Sequence, residues 1–165
     1  MISVKHISIS LLRWLFGAVF VFSGLVKSVD PVGTSVFVEK YLATYGLGRM
    51  MEYALPIAIV LAVVEMTIGV AVIVNAFRRV TLRVALLFVV LFTVITLLSA
   101  TVLPIGDCGC FGDAVTLSPW ATFWKNIVLM VVVVVLAKYD HRESNTSNVQ
   151  IAIALIGVFI ALGLT

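Results

Sequence analysis

Charge is scarce in this chain. Asp, Glu, Lys and Arg make up 12% of its residues, where a soluble domain carries about a quarter. That shortage excludes an ordinary water-solvated surface. Cysteine is scarcer still. Cys108 and Cys110 are the two in the chain, which rules out a disulfide scaffold and leaves one bridge, one ligand pair or two free thiols. The two histidines, His6 and His141, are too few to complete an ordinary zinc site without the cysteines, since zinc takes four ligands. Period-two alternation is also missing from the apolar stretches, which excludes a membrane β-barrel. No internal repeat is evident, and no cleavable signal: the first apolar run is too long for a signal core and lacks an Ala-x-Ala site.

What fills the chain instead is apolar. Hydrophobic residues make up 62% of it and the mean hydropathy is +1.22. A bilayer core needs about 20 helical residues per crossing, and five runs approach that length: 7–26, 55–74, 81–102, 120–137 and 149–164. The expected fold is therefore an all-α integral membrane bundle. Residues 1–140 read as a four-helix transmembrane domain, and 141–165 as a cytoplasmic linker followed by a shorter fifth transmembrane helix. The net charge of +3 does not point to nucleic acid. The basic residues stand at the ends of the apolar runs, where they anchor and orient helices in the lipid bilayer.

Their distribution sets a topology. Lys5 precedes the first run, Arg78, Arg79 and Arg83 sit around the second connection, and Lys138 and Arg142 in the fourth. The third connection has Asp107 and Asp113 and no basic residue before Lys125. The positive-inside rule then puts the N-terminus in the cytoplasm and the third connection outside, where disulfides persist. The first connection is long. Asp30-Pro31-Val32-Gly33 reads as a turn, and Phe37, Tyr41 and Tyr45 follow at helical spacing, which predicts a short interfacial helix with its aromatics on one face. Ser118 is placed to cap the fourth run, with Pro119 in its first turn.

The stretch Gly106-Asp107-Cys108-Gly109-Cys110-Phe111-Gly112-Asp113 carries the chemistry. A disulfide across one residue closes a small ring, and departures from relaxed geometry make such a bond easier to reduce. A loop this short gains little stability from closure. A redox-active pair is the leading reading. Half of a copper(I) site with two thiolates, or inert cysteines, are the alternatives, and no resident metal is expected. Thiol reactivity needs a thiolate. Lys125 and Lys27 can favour it, Asp107 and Asp113 oppose it, and both lysines can instead snorkel to headgroups. Within the membrane, Glu65 stands out, because a carboxylate at that depth needs a partner or a cavity. Depth arithmetic puts it roughly 13 Å, and Arg13 roughly 9 Å, from the same end of the bundle. That predicts an Arg13–Glu65 pair tying the first two helices together. Gly17, Ser23, Gly24 and Gly69 read as close helix packing. Thr93, Thr96 and Ser99 can bond their own backbone or a neighbouring helix.

Three patches of this chain together resemble the DoxX-like membrane proteins, and within them the methylamine-utilisation MauE type. They are Arg13…Gly17…Phe20…Ser23-Gly24-x-x-Lys27…Asp30-Pro31, Glu65-x-x-x-Gly69, and Cys108-Gly109-Cys110-Phe111-Gly112 followed by Pro119-Trp120 and Lys125-Asn126. The resemblance covers about the first 140 residues. It implies a four-helix bundle in the bacterial inner membrane that handles disulfides during maturation of a periplasmic enzyme, beside a thioredoxin-like or other periplasmic thiol partner. DoxX itself is linked to quinone reduction, so the resemblance leaves two routes open for the electrons: to or from a membrane quinone, or simply between two thiol proteins. The bundle is also similar to quinone-linked disulfide oxidases of the DsbB and vitamin K epoxide reductase type. Those use two cysteine pairs and this chain has one, so a complete relay does not carry over. The competing expectation is a non-enzymatic assembly or anchoring subunit that docks a periplasmic partner.

Overall fold

The computed structural model describes residues 4–102, 118–139 and six positions between 150 and 158. Among them every regular element is helical. The order is α1 (Val4–Val29), α2 (Pro31–Thr44), a 3-10 segment (Gly48–Tyr53), α3 (Ala54–Val74), α4 (Arg78–Thr101) and α5 (Pro119–Tyr139). The described positions between 150 and 158 are helical too.

Four segments among the described residues are long and apolar enough to cross a membrane: Ile7–Val29, Gly48–Val74, Arg78–Thr101 and Pro119–Tyr139. They coincide with the first four apolar runs to within a few residues. Large apolar side chains such as Leu87, Trp124, Val128 and Val131 stand on the outside, which only lipid can cover without penalty. This is a multi-pass membrane protein.

Two helix pairs make the bundle. In the first, α1 runs antiparallel to α3 at backbone contact. A Cβ on Gly24 would lie 2.7 Å from the Met66 nitrogen, and one on Gly69 would lie 2.7 Å from that of Val21. Glycine is what lets the two backbones meet there, so the small residues do serve close packing. In the second pair, α4 buries Leu82, Ala85, Val89, Thr93, Thr96 and Ser99. The facing stripe of α5 is Thr122, Asn126, Leu129, Val133 and Leu136. Both stripes step by three and four, the spacing of one helix face. Phe16, Phe20, Leu82, Val89, Val133 and Leu136 join the two pairs in one core.

The connections are built from capping chemistry. Asp30 does not open a loop; it caps α2. Its carboxylate accepts from the Gly33 amide at 2.7 Å, and Pro31 occupies the first turn, where its missing N–H costs nothing. α1 therefore runs three residues past the expected end at 26 and carries Lys27 inside it. Asn75 and Phe77 adopt left-handed conformations, φ 59° and 42°, and turn α3 into α4. Arg78 then reaches across to the end of α5 and donates to the Leu136 and Ala137 carbonyls at 3.3 and 3.2 Å. A cation suits that end of the helix. Ser118 caps α5 as expected, accepting from the Ala121 amide at 3.2 Å.

Candidate functional site: a buried ion pair between two cavities

Glu65 has a cation, but it is not Arg13. The Lys27 ammonium donates to Glu65 Oε2 at 2.7 Å and to Ser23 Oγ at 2.8 Å. The two charged side chains are only 3% and 7% exposed. The correction has a plain cause. The depth arithmetic assumed that the first two membrane helices end level with one another. The glycine contacts set a different register: Gly24 lies against Ala62 and Met66, and Gly17 against Gly69 and Ile73. Glu65 is thus beside Ser23, about ten residues along α1 from Arg13, or roughly 15 Å. Arg13 instead lines a small cavity with Asn75 and Arg78 at the opposite end of the bundle. Helical side chains lean toward the helix N-terminus, which brings the Lys27 ammonium back over Ser23 and onto Glu65. Lys27 therefore does not snorkel to headgroups.

Each partner of the pair lines a different cavity. Glu65 faces a space of about 30 Å³ with Ser23, Lys125 and Asn126 among apolar walls from Val19, Phe20, Phe88 and Leu129. That volume has room for about two waters. Lys125 is half-buried there. Asn126 Nδ2 lies 3.5 Å from Thr96 Oγ1, a polar link between α5 and α4. Thr96 also donates to the Phe92 and Thr93 carbonyls, at 2.8 and 3.0 Å. Thr93 and Ser99 bond their own helix similarly, as expected of hydroxyls in apolar helices.

Lys27 lines the second cavity, which is larger, about 320 Å³. Its walls are Phe37, Tyr41 and Tyr45 from α2, Ile57 and Leu61 from α3, and Leu91, Phe92, Ile95 and Thr96 from α4. The aromatic face expected for residues 37–45 exists, and it is turned inward onto this cavity. Tyr41 and Tyr45 stack at 6.2 Å between centroids, and the Tyr45 hydroxyl lies 3.5 Å from Ser99 Oγ. A second aromatic run, Phe16–Phe20–Phe88–Phe92, crosses the core beside the ion pair, with centroid spacings of 4.6, 5.8 and 4.6 Å.

Cys108 and Cys110, with Asp107 and Asp113, lie outside the described residues. Their flanking anchors, Val102 and Ser118, are described. Thr96 is six residues before Val102 and Asn126 eight after Ser118. The ion-pair region therefore sits roughly 10 Å along the helices from where the chain leaves α4 and enters α5. Sequence reasoning overlooked the Lys27–Glu65 pairing and the cavity under α2. The first was available from the glycine stripe, whose register brings Glu65 next to Lys27. The second depends on how α2 folds back over α3, which no local pattern encodes.

Comparison with known proteins adds three findings. The family model described as "Methylamine utilisation protein MauE" matches residues 5–139. Protein TlpB of Flavobacterium psychrophilum is 24% identical over 149 residues, 87% of this chain but 40% of TlpB, so the chain spans under half the length of that curated relative. No solved structure matches.

Proposed function

We propose that this chain, which belongs to the methylamine-utilisation MauE family, is a thiol–disulfide exchange protein of the bacterial inner membrane. Cys108 and Cys110 are its reactive pair. The observation that carries the reading is the placement of the chain's two cysteines. In the sequence they stand in one glycine-rich stretch between the end of α4 and the start of α5, and Glu65, Lys125 and Asn126 line a common cavity within the bundle. The acidic third connection faces the periplasm under the positive-inside rule, with a cytoplasmic N-terminus. Residues 1–140 form the family domain. Residues 141–165 add a cytoplasmic linker and a fifth crossing.

In the exchange, one thiolate of the pair attacks a disulfide of a periplasmic thioredoxin-like or other thiol protein. A mixed disulfide forms and one partner sulfur leaves as thiolate. The second cysteine attacks the mixed disulfide, and the second partner sulfur leaves. The partner ends as a dithiol and Cys108–Cys110 as a disulfide; the reverse sequence oxidises the partner. Lys125 is the cation we assign to favouring a thiolate. Lys27 has its charge balanced by Glu65, and Asp107 and Asp113 keep the thiolate from being favoured further. Replacing both cysteines (Cys108→Ser with Cys110→Ser) abolishes the exchange while the folded bundle persists. Retention of full cellular function by that variant, with partner binding intact, would instead establish a non-enzymatic anchoring subunit.

A further inference from the structure

Arg13 has no part in thiol exchange, yet it is a charge held inside a membrane crossing. It stands six residues after Ile7, where the first crossing begins, and it is half-buried. We propose that Arg13 and Arg78 form a binding site for the phosphate group of an anionic lipid headgroup. The inference does not depend on the exchange reading.

Three observations support it. The first is convergence. A charged side chain at membrane depth faces the bundle interior or a cavity and marks a functional site by default. Arg13 from α1 and Arg78 from α4 line one cavity, whose other polar side chains are Asn75 and Thr81. No carboxylate is among its described lining residues. The cavity measures about 10 Å³, the room of one oxygen, so it takes a single phosphate oxygen while the rest of the headgroup stays outside. The second is preorganisation. Arg78 is fixed by donating to the Leu136 and Ala137 carbonyls at the end of α5. A guanidinium holds five N–H donors in a planar fork, more than that anchoring uses, and the fork matches phosphate oxygens. The third is the charge of this end of the bundle. The helix ends here, with the residues that directly follow α5 in the sequence, carry seven lysines and arginines against Asp140 and Glu143. Two carboxylates cannot balance seven cations, whichever of them they approach. Basic pockets between membrane helices on the cytoplasmic side bind anionic headgroups, and the positive-inside rule assigns this end to the cytoplasm. Trp14, next to Arg13 in the chain, is exposed, as an interfacial aromatic would be. That sets the site at headgroup depth and favours a lipid over free phosphate.

The test uses the full chain in phosphatidylcholine nanodiscs containing a trace of phosphatidylglycerol with a photoreactive diazirine on its headgroup. Adducts are mapped by peptide mass spectrometry. They should fall around Arg13 and on 75–82, where α3 turns into α4, and unlabelled phosphatidylglycerol should chase them at least fivefold. Arg13→Gln should lower them at least fivefold, and Arg13→Lys should keep most of them. Arg83→Gln, which removes an exposed charge at the same end, should leave them unchanged. Inorganic phosphate, compared with chloride at equal ionic strength, distinguishes the sources. Chase by phosphatidylglycerol and not by phosphate assigns the site to a lipid headgroup, and equal chase by both assigns it to the phosphate group from either source. Adducts spread evenly over this end, no chase by phosphatidylglycerol, or equal losses from Arg13→Gln and Arg83→Gln would mean diffuse attraction and would overturn the proposal. Mapping and chase on the unmodified chain decide it even if Arg13→Gln fails to fold.

Discussion

Removing either member of the Lys27–Glu65 pair leaves a single buried charge without its counter-ion. Breaking a buried pair in this way costs about 3–5 kcal/mol, whereas replacing both members with apolar residues of similar size is often neutral. Lys27→Met and Glu65→Leu should therefore each lower unfolding stability in detergent by several kcal/mol by that precedent, and the double variant should recover most of the loss. Arg13→Gln provides the control. Its effect should add to that of Glu65→Leu, because the two side chains belong to opposite ends of the bundle. Non-additivity between Arg13 and Glu65 would restore the pairing that depth arithmetic suggested. At this scale the sequence announced that Glu65 needed a partner, but the lengths of the apolar runs alone could not choose among cations. Choosing requires the register of two helices, and run lengths give that only to within a couple of turns.

Helix register is the business of the small residues. A Cβ on Gly24 or on Gly69 would lie 2.7 Å from a backbone nitrogen of the partner helix, which leaves no space for a methyl group. Gly24→Val and Gly69→Val should each separate α1 from α3 and lower the melting temperature sharply, since even ordinary overpacking costs about 1–3 kcal/mol. Both should also weaken the Lys27–Glu65 contact, so neither variant should be additive with Glu65→Leu. Asn126→Leu on α5 should be mild, about 0.6 kcal/mol, the average for a polar contact between membrane helices. Circular-dichroism melts of the purified protein separate these cases. The membrane elements were legible as apolar runs because lipid imposes length and hydrophobicity together. Their ends were less legible. Asp30 looked like a turn residue, since an N-cap and a turn use the same side-chain chemistry. The aromatic face of α2 was legible as a periodicity, but what it faces was not.

For the molecule as a whole, the proposed topology and the proposed chemistry are both tested at the cysteine segment. The bundle, the four membrane-crossing helices among the described residues and the family were readable from composition and a few spaced residues. The proposed chemistry rests on a short segment with two cysteines that lies outside the described residues, between Val102 and Ser118. An impermeant maleimide should label reduced Cys108 or Cys110 in intact spheroplasts; labelling only after lysis would invert the topology. The central claim is tested most directly by trapping. Single-cysteine variants, Cys108→Ser and Cys110→Ser, are expressed in the native host, quenched with acid and alkylated, and then run on non-reducing gels with mass spectrometry of the shifted band. The account predicts that one of the two variants accumulates a dithiothreitol-sensitive mixed disulfide with a periplasmic thiol protein, and that the double variant does not. No such species from either single variant, under conditions that trap a known thioredoxin-like pair, would contradict it.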